Sequence, residues 1–168
     1  ANFVEIEKGK VTLSRQWNEK LPHYVGSPSM SVIGKHLAHK KNIYFSTRIV
    51  RIQKSDRWEL FNQDNKSLGI FDWVISTLPA KQALNILPNC FQYLSEINTV
   101  NMSACYSLML GFEYDLCLPF DAALVKGSNI SWISSNHSKP GRNNQQCLLV
   151  HSTNKWAQQH IDETDQYT

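Results

Sequence analysis

The sequence predicts an α+β fold, mixed α/β in its local order, and three observations carry that prediction. Short β-prone runs separated by turn residues fill residues 43–76, and Tyr106, Leu108 and Leu110 alternate with Ser107 and Met109. In the stretch Phe71–Leu87, strand-like sequence hands over abruptly to helix-like sequence. Trp73–Ile75 is too short for a helix, is rich in β-branched and aromatic side chains, and runs towards a proline, so a buried strand is expected there. Pro79 suits the first turn of a helix, where its missing N–H would be unpaired anyway, and Ala83, Ile86 and Leu87 recur at helical spacing. The carboxyl end of such a strand, Ser76, Thr77 and Leu78, is where the ligand crevice of an α/β protein lies, although any strand-to-helix turn reads the same way.

Taken in order, Phe3–Ile6 and Val11–Leu13 flank the polar segment Glu7–Lys10 as two strands of a hairpin. Leu21–Ser29 is a stiff loop with two prolines, after which Ser29 or Ser31 is expected to cap a helix carrying Val32, Ile33, His36 and Leu37 on one face. That helix should stop near His39–Asn42, where positive side chains suit the negative end of its dipole. Ile43–Phe45, Arg48–Gln53, Trp58–Phe61 and Phe71–Ser76 read as strands of an antiparallel meander, turning at Lys54–Arg57 and Gln63–Lys66. Phe91–Ile97 reads as a helix and Ser103–Phe112 as a long strand. Further strands are expected at Asp121–Val125, Ile130–Ser134 and Gln146–His151, then a capped helix from Lys155. Asn136–Asn144 is polar and broken by Pro140-Gly141, hence a surface loop. Meanders interrupted by helices near Val32 and Ala83 favour two subdomains sharing strands over one doubly wound sheet.

Composition narrows the function classes. With 168 residues, 42% hydrophobic and 18% charged, the chain is of globular rather than disordered type. Its net charge of +3 is scattered, which gives no concentrated phosphate-binding footprint, and no nucleic-acid partner is expected. Cys90, Cys105, Cys117 and Cys147 form no CxxC pair, so neither a zinc ribbon nor a disulfide framework is indicated and a reducing, cytoplasmic setting is expected. No apolar run reaches the ~20 residues of a membrane span, and the first residues lack the pattern of a signal peptide. Without such a signal, the sequons Asn65-Lys66-Ser67 and Asn129-Ile130-Ser131 read as chance. A start without Met and a polar, helix-like end, Asp162–Thr168, read as a piece excised from a longer chain.

Few side chains suggest chemistry directly. His36 and His39 have helical metal-ligand spacing but no nearby carboxylate or cysteine to complete a site, so no metal is expected. His151 after a strand and His137 in the Pro-Gly loop could each act as a general base, but no GxSxG or Cys-His context accompanies them, so satisfied surface or core histidines are expected. Lys139 and Arg142 can meet an anionic substrate group through charge-assisted hydrogen bonds, or simply solvate a turn. None of the seven glycines falls in a GxGxxG, so the chain alone is expected to bind a dinucleotide poorly.

Four stretches together, Tyr24–Ser31, Arg48–Ile52, Val74–Ala80 and Ser131–Arg142, resemble the renalase-like branch of the FAD-dependent amine oxidase superfamily, and Cys147–Ser152 leading to Trp156 continues the likeness. The resemblance implies a split FAD-binding domain of which this chain holds the β-meander, plus an antiparallel-sheet substrate domain with flanking helices. In that layout residues 1–22 are a substrate-domain hairpin, 23–88 the middle of the FAD-binding domain, and 89–168 an incomplete substrate-binding domain. The pyrophosphate loop would precede Ala1, and the segment meeting the isoalloxazine would follow Thr168, so the chain by itself is expected to be inactive.

It also implies roles for single residues. Ile49 matches the position whose backbone meets the adenine of FAD, and Thr77, Leu78 and Pro79 match the strand end that passes the cofactor. Met30 matches a position facing the substrate cavity, and Trp132, Lys139 and Arg142 fall in the substrate-domain motif. Ser29 stands where the family usually has glycine. Monoamine and polyamine oxidases carry a lysine on the strand equivalent to Ala104–Leu108, and none stands there. Oxidation of a reduced nicotinamide nucleotide, NAD(P)H, with oxygen as acceptor is therefore the expected activity, with amine or desaturase-type oxidation and a non-catalytic β-rich interaction module as alternatives. Strands whose partners lie elsewhere would leave open edges, from which a homodimer through strands or poor solubility is expected.

Overall fold

The computed structural model describes residues 1–143 and 145–162. The expected helix-like tail beyond Asp162 and the loop residue Asn144 lie outside the described residues. The chain divides into two units, one built from Ala1–Lys41 together with the chain from Ser103 onward, the other from Asn42–Met102.

In the first unit, β1 (Asn2–Glu7) and β2 (Lys10–Gln16) form the predicted hairpin, turning through Lys8 and Gly9, both at positive φ. β6 (Ser107–Phe112), β7 (Ala122–Lys126), β8 (Ile130–Ser135) and β9 (Gln146–Ser152) complete a six-stranded sheet in the order β2-β1-β7-β8-β9-β6. Every pairing is antiparallel except that of β1 with β7, which makes the sheet mixed. Phe3 is in register with Ala122 and Val4 with Ala123. Since neighbours across a sheet share a face and successive residues alternate, these two pairs lie on opposite faces. All four side chains are buried, so the middle of the sheet is covered on both sides. The Lys126 ammonium, 2.5 Å from the Glu5 carboxylate, ties the same two strands together.

α4 (Asn154–Gln159) starts as predicted: the Thr153 side chain accepts from Trp156 N, and Ala157 is fully buried. α1 (Ser31–Ala38) also forms where helical spacing placed it, but the expected serine cap does not. Met30 occupies the capping position and its side chain makes no capping bond, and the Ser29 and Ser31 hydroxyls are 2.8 Å from each other instead. The long strand expected from Ser103 begins only at Ser107, the part of the run that pairs with β9.

In the second unit, β3 (Ile49–Lys54), β4 (Trp58–Asn62) and β5 (Ser67–Phe71) form an antiparallel meander; β3 and β4 fall where predicted, but the third strand precedes the Phe71–Ser76 run expected to supply it. Ile52 pairs with Leu60, and Arg51 pairs with Phe61 on the opposite face, its guanidinium 3.6 Å above the Phe61 ring. α2 (Ala80–Leu84) follows Pro79, whose carbonyl accepts from Gln82 and Ala83 N, and α3 (Leu94–Thr99) takes up part of the expected second helix.

Two expected strands are absent here. Ile43–Phe45 is irregular with Tyr44 and Phe45 exposed, and Trp73–Ile75 is not a buried strand: Trp73 and Ile75 are 86% and 87% exposed. A β-prone run becomes a strand only where a neighbour completes its ladder. Among the described residues, β5 ends at Phe71 and no strand pairs with the residues that follow it.

Candidate functional site

The second unit holds two adjoining hollows that share Ile52, Val74, Ser76, Thr77 and Leu78, of about 620 Å³ and 570 Å³. The local fold explains them. The Ile52/Leu60 face of the meander supplies one wall, and the irregular segment 74–78 runs along it without joining the sheet. Ile52 N donates to Ile86 O at 3.0 Å, which ties the outer edge of β3 to the turn after α2. A bulge between Ile49 and Arg51 interrupts the β3–β4 ladder beside the first hollow, which Ile49 lines. Ile49, Thr77 and Leu78 line that hollow, and Thr77, Leu78 and Pro79 line its neighbour, so the four residues matched to cofactor contacts converge. Arg48, Ser76 and Gln82 add polar groups to the first hollow, and neither their side chains nor that of Thr77 bond within the described residues. Apolar walls, a strand edge rich in main-chain groups, free hydroxyls and one cation form a site able to bind a flat ring attached to a polar, anionic tail.

The residues matched to substrate contacts lie in the first unit, in separate settings. Arg142 Nη1 donates to Gly26 O at 3.1 Å and also to Pro28 O, and Gly26 N donates to Met30 Sδ at 3.2 Å. Arg142 and Met30 therefore meet on one loop, where the guanidinium binds main-chain carbonyls. Lys139 Nζ donates to Asn136 Oδ1 at 3.1 Å within the Pro-Gly loop, and His137 Nδ1 is 2.9 Å from the buried Ser135 hydroxyl. Trp132 belongs to an aromatic array with Phe3 and Trp17, its ring centroid 6.0 Å and 6.4 Å from theirs, and His23 stacks on Trp17 at 3.9 Å. The Arg15 guanidinium lies 4.7 Å from the centroid of the Phe3 ring. Sequence reasoning did not find this array, which depends on the parallel β1–β7 pairing; the only sign of it was a tryptophan just past the hairpin. Among the described residues, no three His, Cys, Asp or Glu side chains are grouped to hold a metal ion, and no helix is long and apolar enough to cross a membrane.

Solved structures of similar fold include the following two. A "putative protoporphyrinogen oxidase" from Exiguobacterium sp. 255-15 superimposes with a TM-score of 0.57 over 79% of this chain, at 16% identity. The PF1083 protein from Pyrococcus furiosus does so with a TM-score of 0.51 over 68%, at 13% identity. The chain shares their fold. It spans only 34% and 33% of their lengths. No protein-family model matches the chain.

Proposed function

We propose that the chain is the middle segment of a renalase-like, FAD-dependent oxidoreductase, and that the paired hollows of the meander unit take the adenosine end of the flavin nucleotide. The observation that carries this reading is that Ile49 and Thr77–Leu78, far apart in sequence, line one hollow, and that Pro79 lines the hollow adjoining it. The fold shared with the Exiguobacterium protein, which is named for an oxidase reaction, agrees with it.

The side chains present fit that group. Ile49, Ile52, Leu60 and Leu78 offer faces for an adenine ring, and the edge of β3 offers N–H and C=O groups that can read the edge of a base without a particular side chain. Thr77 and Gln82 are free to bond a ribose, and Arg48 to meet a phosphate. FAD, when bound, would supply hydride acceptance and the passage of electrons to oxygen. The chain's part is to bind and orient the nucleotide.

For the substrate we favour a reduced nicotinamide nucleotide. No lysine stands between Ala104 and Leu108 to serve amine oxidation, and hydride transfer to a flavin needs stacking geometry and a dry pocket rather than a side-chain acid/base pair. The full-length product of the natural gene, purified without added cofactor, should show a flavin absorption spectrum that bleaches on anaerobic addition of NADH or NADPH. A flavin unmoved by either nucleotide would overturn the substrate and return amines and desaturations to the front. No flavin even after incubation with FAD would overturn the enzyme itself and favour an interaction module.

A further inference from the structure

The six-stranded sheet has two outer edges of opposite character. β2 carries Lys10 and Arg15 along its length, the charged protection that keeps an edge from pairing with another chain. β6, at the other edge, reads Ser-Leu-Met-Leu-Gly-Phe, without a charge or a proline, and Leu108 and Met109 are 56% and 82% exposed. Uncharged apolar edges of this length are templates for a further strand. Beside the edge lies an apolar hollow of about 370 Å³, lined by Tyr106, Leu108, Ile130, Val150 and Trp156 among others. Its chemistry suits apolar side chains flanking an added strand.

We infer that β6 pairs with β6 of a second copy of this chain, antiparallel and across a two-fold axis at Met109, joining the two sheets into one. The register follows from the hydrogen bonding already made. Ser152 N donates to Tyr106 O, and Tyr106 is opposite Ser152 in the continuation of the β6–β9 register. Main-chain groups alternate in direction along a strand, so Leu108 and Leu110 point towards β9, while Ser107, Met109 and Gly111 point outward.

An antiparallel pair built from the outward groups, with the greatest overlap of the strand with itself, centres on Met109. It sets Met109 opposite Met109, Leu108 opposite Leu110, Ser107 opposite Gly111 and Tyr106 opposite Phe112. Apolar residues meet apolar residues at every position but one, and the partner's Leu110 and Phe112 fall at the rim of the hollow. The acidic residues after β6, Glu113 and Asp115, continue past the pairing towards Cys105 and Ser103 rather than towards each other, so no like charges oppose across the axis. A strand of any other protein would need its own complementary pattern, whereas β6 already complements itself. The pairing does not depend on a flavin.

Sedimentation velocity of the full-length gene product over a range of concentrations, combined with hydrogen exchange resolved to single amides, tests the pairing. A concentration-dependent dimer is expected, with Ser107, Met109 and Gly111 amides slowed only in the dimer. M109K sets two ammonium groups against each other at the axis and should weaken the dimer at least ~10-fold, while T12K on β2 should leave it unchanged. Far-UV circular dichroism checks that both variants fold, and if M109K does not, the wild-type exchange pattern decides alone. A chain that stays monomeric throughout, a dimer indifferent to M109K, or a monomer in which the three amides are already slow because something else covers the edge would each overturn the inference.

Discussion

Replacing Ile52 by alanine is expected to destabilise the meander unit by about 2–3 kcal/mol. Ile52 is 4% exposed and is the one large apolar side chain buried among the described residues of its unit. The change removes three carbons, each worth about 0.8 kcal/mol when buried. A sealed cavity would add about 24 cal/mol per Å³. Ile52 instead forms part of the wall of both hollows, which open to solvent, so water fills the space and most of that addition is lost. The comparison is Ile75→Ala: at 87% exposure it should change stability by less than about 0.5 kcal/mol. Native-state hydrogen exchange of the β3 and β4 amides, in protein free of ligand, reads this unit separately from the other. A loss below about 1 kcal/mol for I52A would show that Ile52 is not the core of the unit. A loss for I75A as large as that for I52A would restore the buried strand at Trp73–Ile75.

Other outcomes follow from single contacts. Gly127 and Gly141 have φ of +66° and +70°, so alanine at either should cost about 1–2 kcal/mol. At Gly141 a Cβ would also run into the Ser27 hydroxyl and lie 3.2 Å from Pro28 Cα, whereas at Gly127 it meets nothing. In urea unfolding G141A should therefore lose about 1 kcal/mol more than G127A; equal losses would mean that the Arg142 loop does not pack on Gly26–Pro28. Thr153→Ala should lose about 1 kcal/mol through its cap on Trp156 N, and serine should restore most of it. The Glu5 carboxylate, by hydrogen bond and charge, holds Lys126 above the ordinary lysine value of 10.5. A raised lysine contributes stability that is full below its unfolded value and lost as pH climbs through its folded one. Wild type should therefore exceed K126M at neutral pH and converge with it in strong alkali; a gap independent of pH would assign the difference to packing.

The parts of the fold legible in sequence are those whose partners are local. The β1–β2 hairpin and the β3–β4 pair turn within a few residues, so alternation and turn chemistry suffice, whereas β5 lies just before the run read as the third strand. Thr153 capped α4 for the same reason. The parallel pairing of β1 with β7 joins residues more than a hundred apart in sequence, and nothing in either run signals the other. Trp73–Ile75 misled because aromatic and β-branched residues mark a surface that fits a sheet, not the presence of a neighbour to pair with. Ser29 and Ser31 misled because two nearby hydroxyls can satisfy each other. Of the candidate sites, Ile49 and Thr77–Pro79 were named through resemblance, and that they line adjoining hollows emerges only from the meander that brings them together. Arg142 was legible as a cation, but its carbonyl partners at Gly26 and Pro28 leave no mark on a sequence.

The measurement that bears most directly on the flavin reading is the bound FAD per protein in the full-length gene product, comparing wild type with Thr77→Trp. Thr77 is exposed, lines both hollows and makes no bond, so the indole can occupy the crevice without breaking the fold. Near-stoichiometric flavin in wild type and at least ~10-fold weaker retention in T77W, with unchanged circular dichroism, is the expected result. Full flavin occupancy in T77W would place the cofactor elsewhere and contradict the assignment of this crevice.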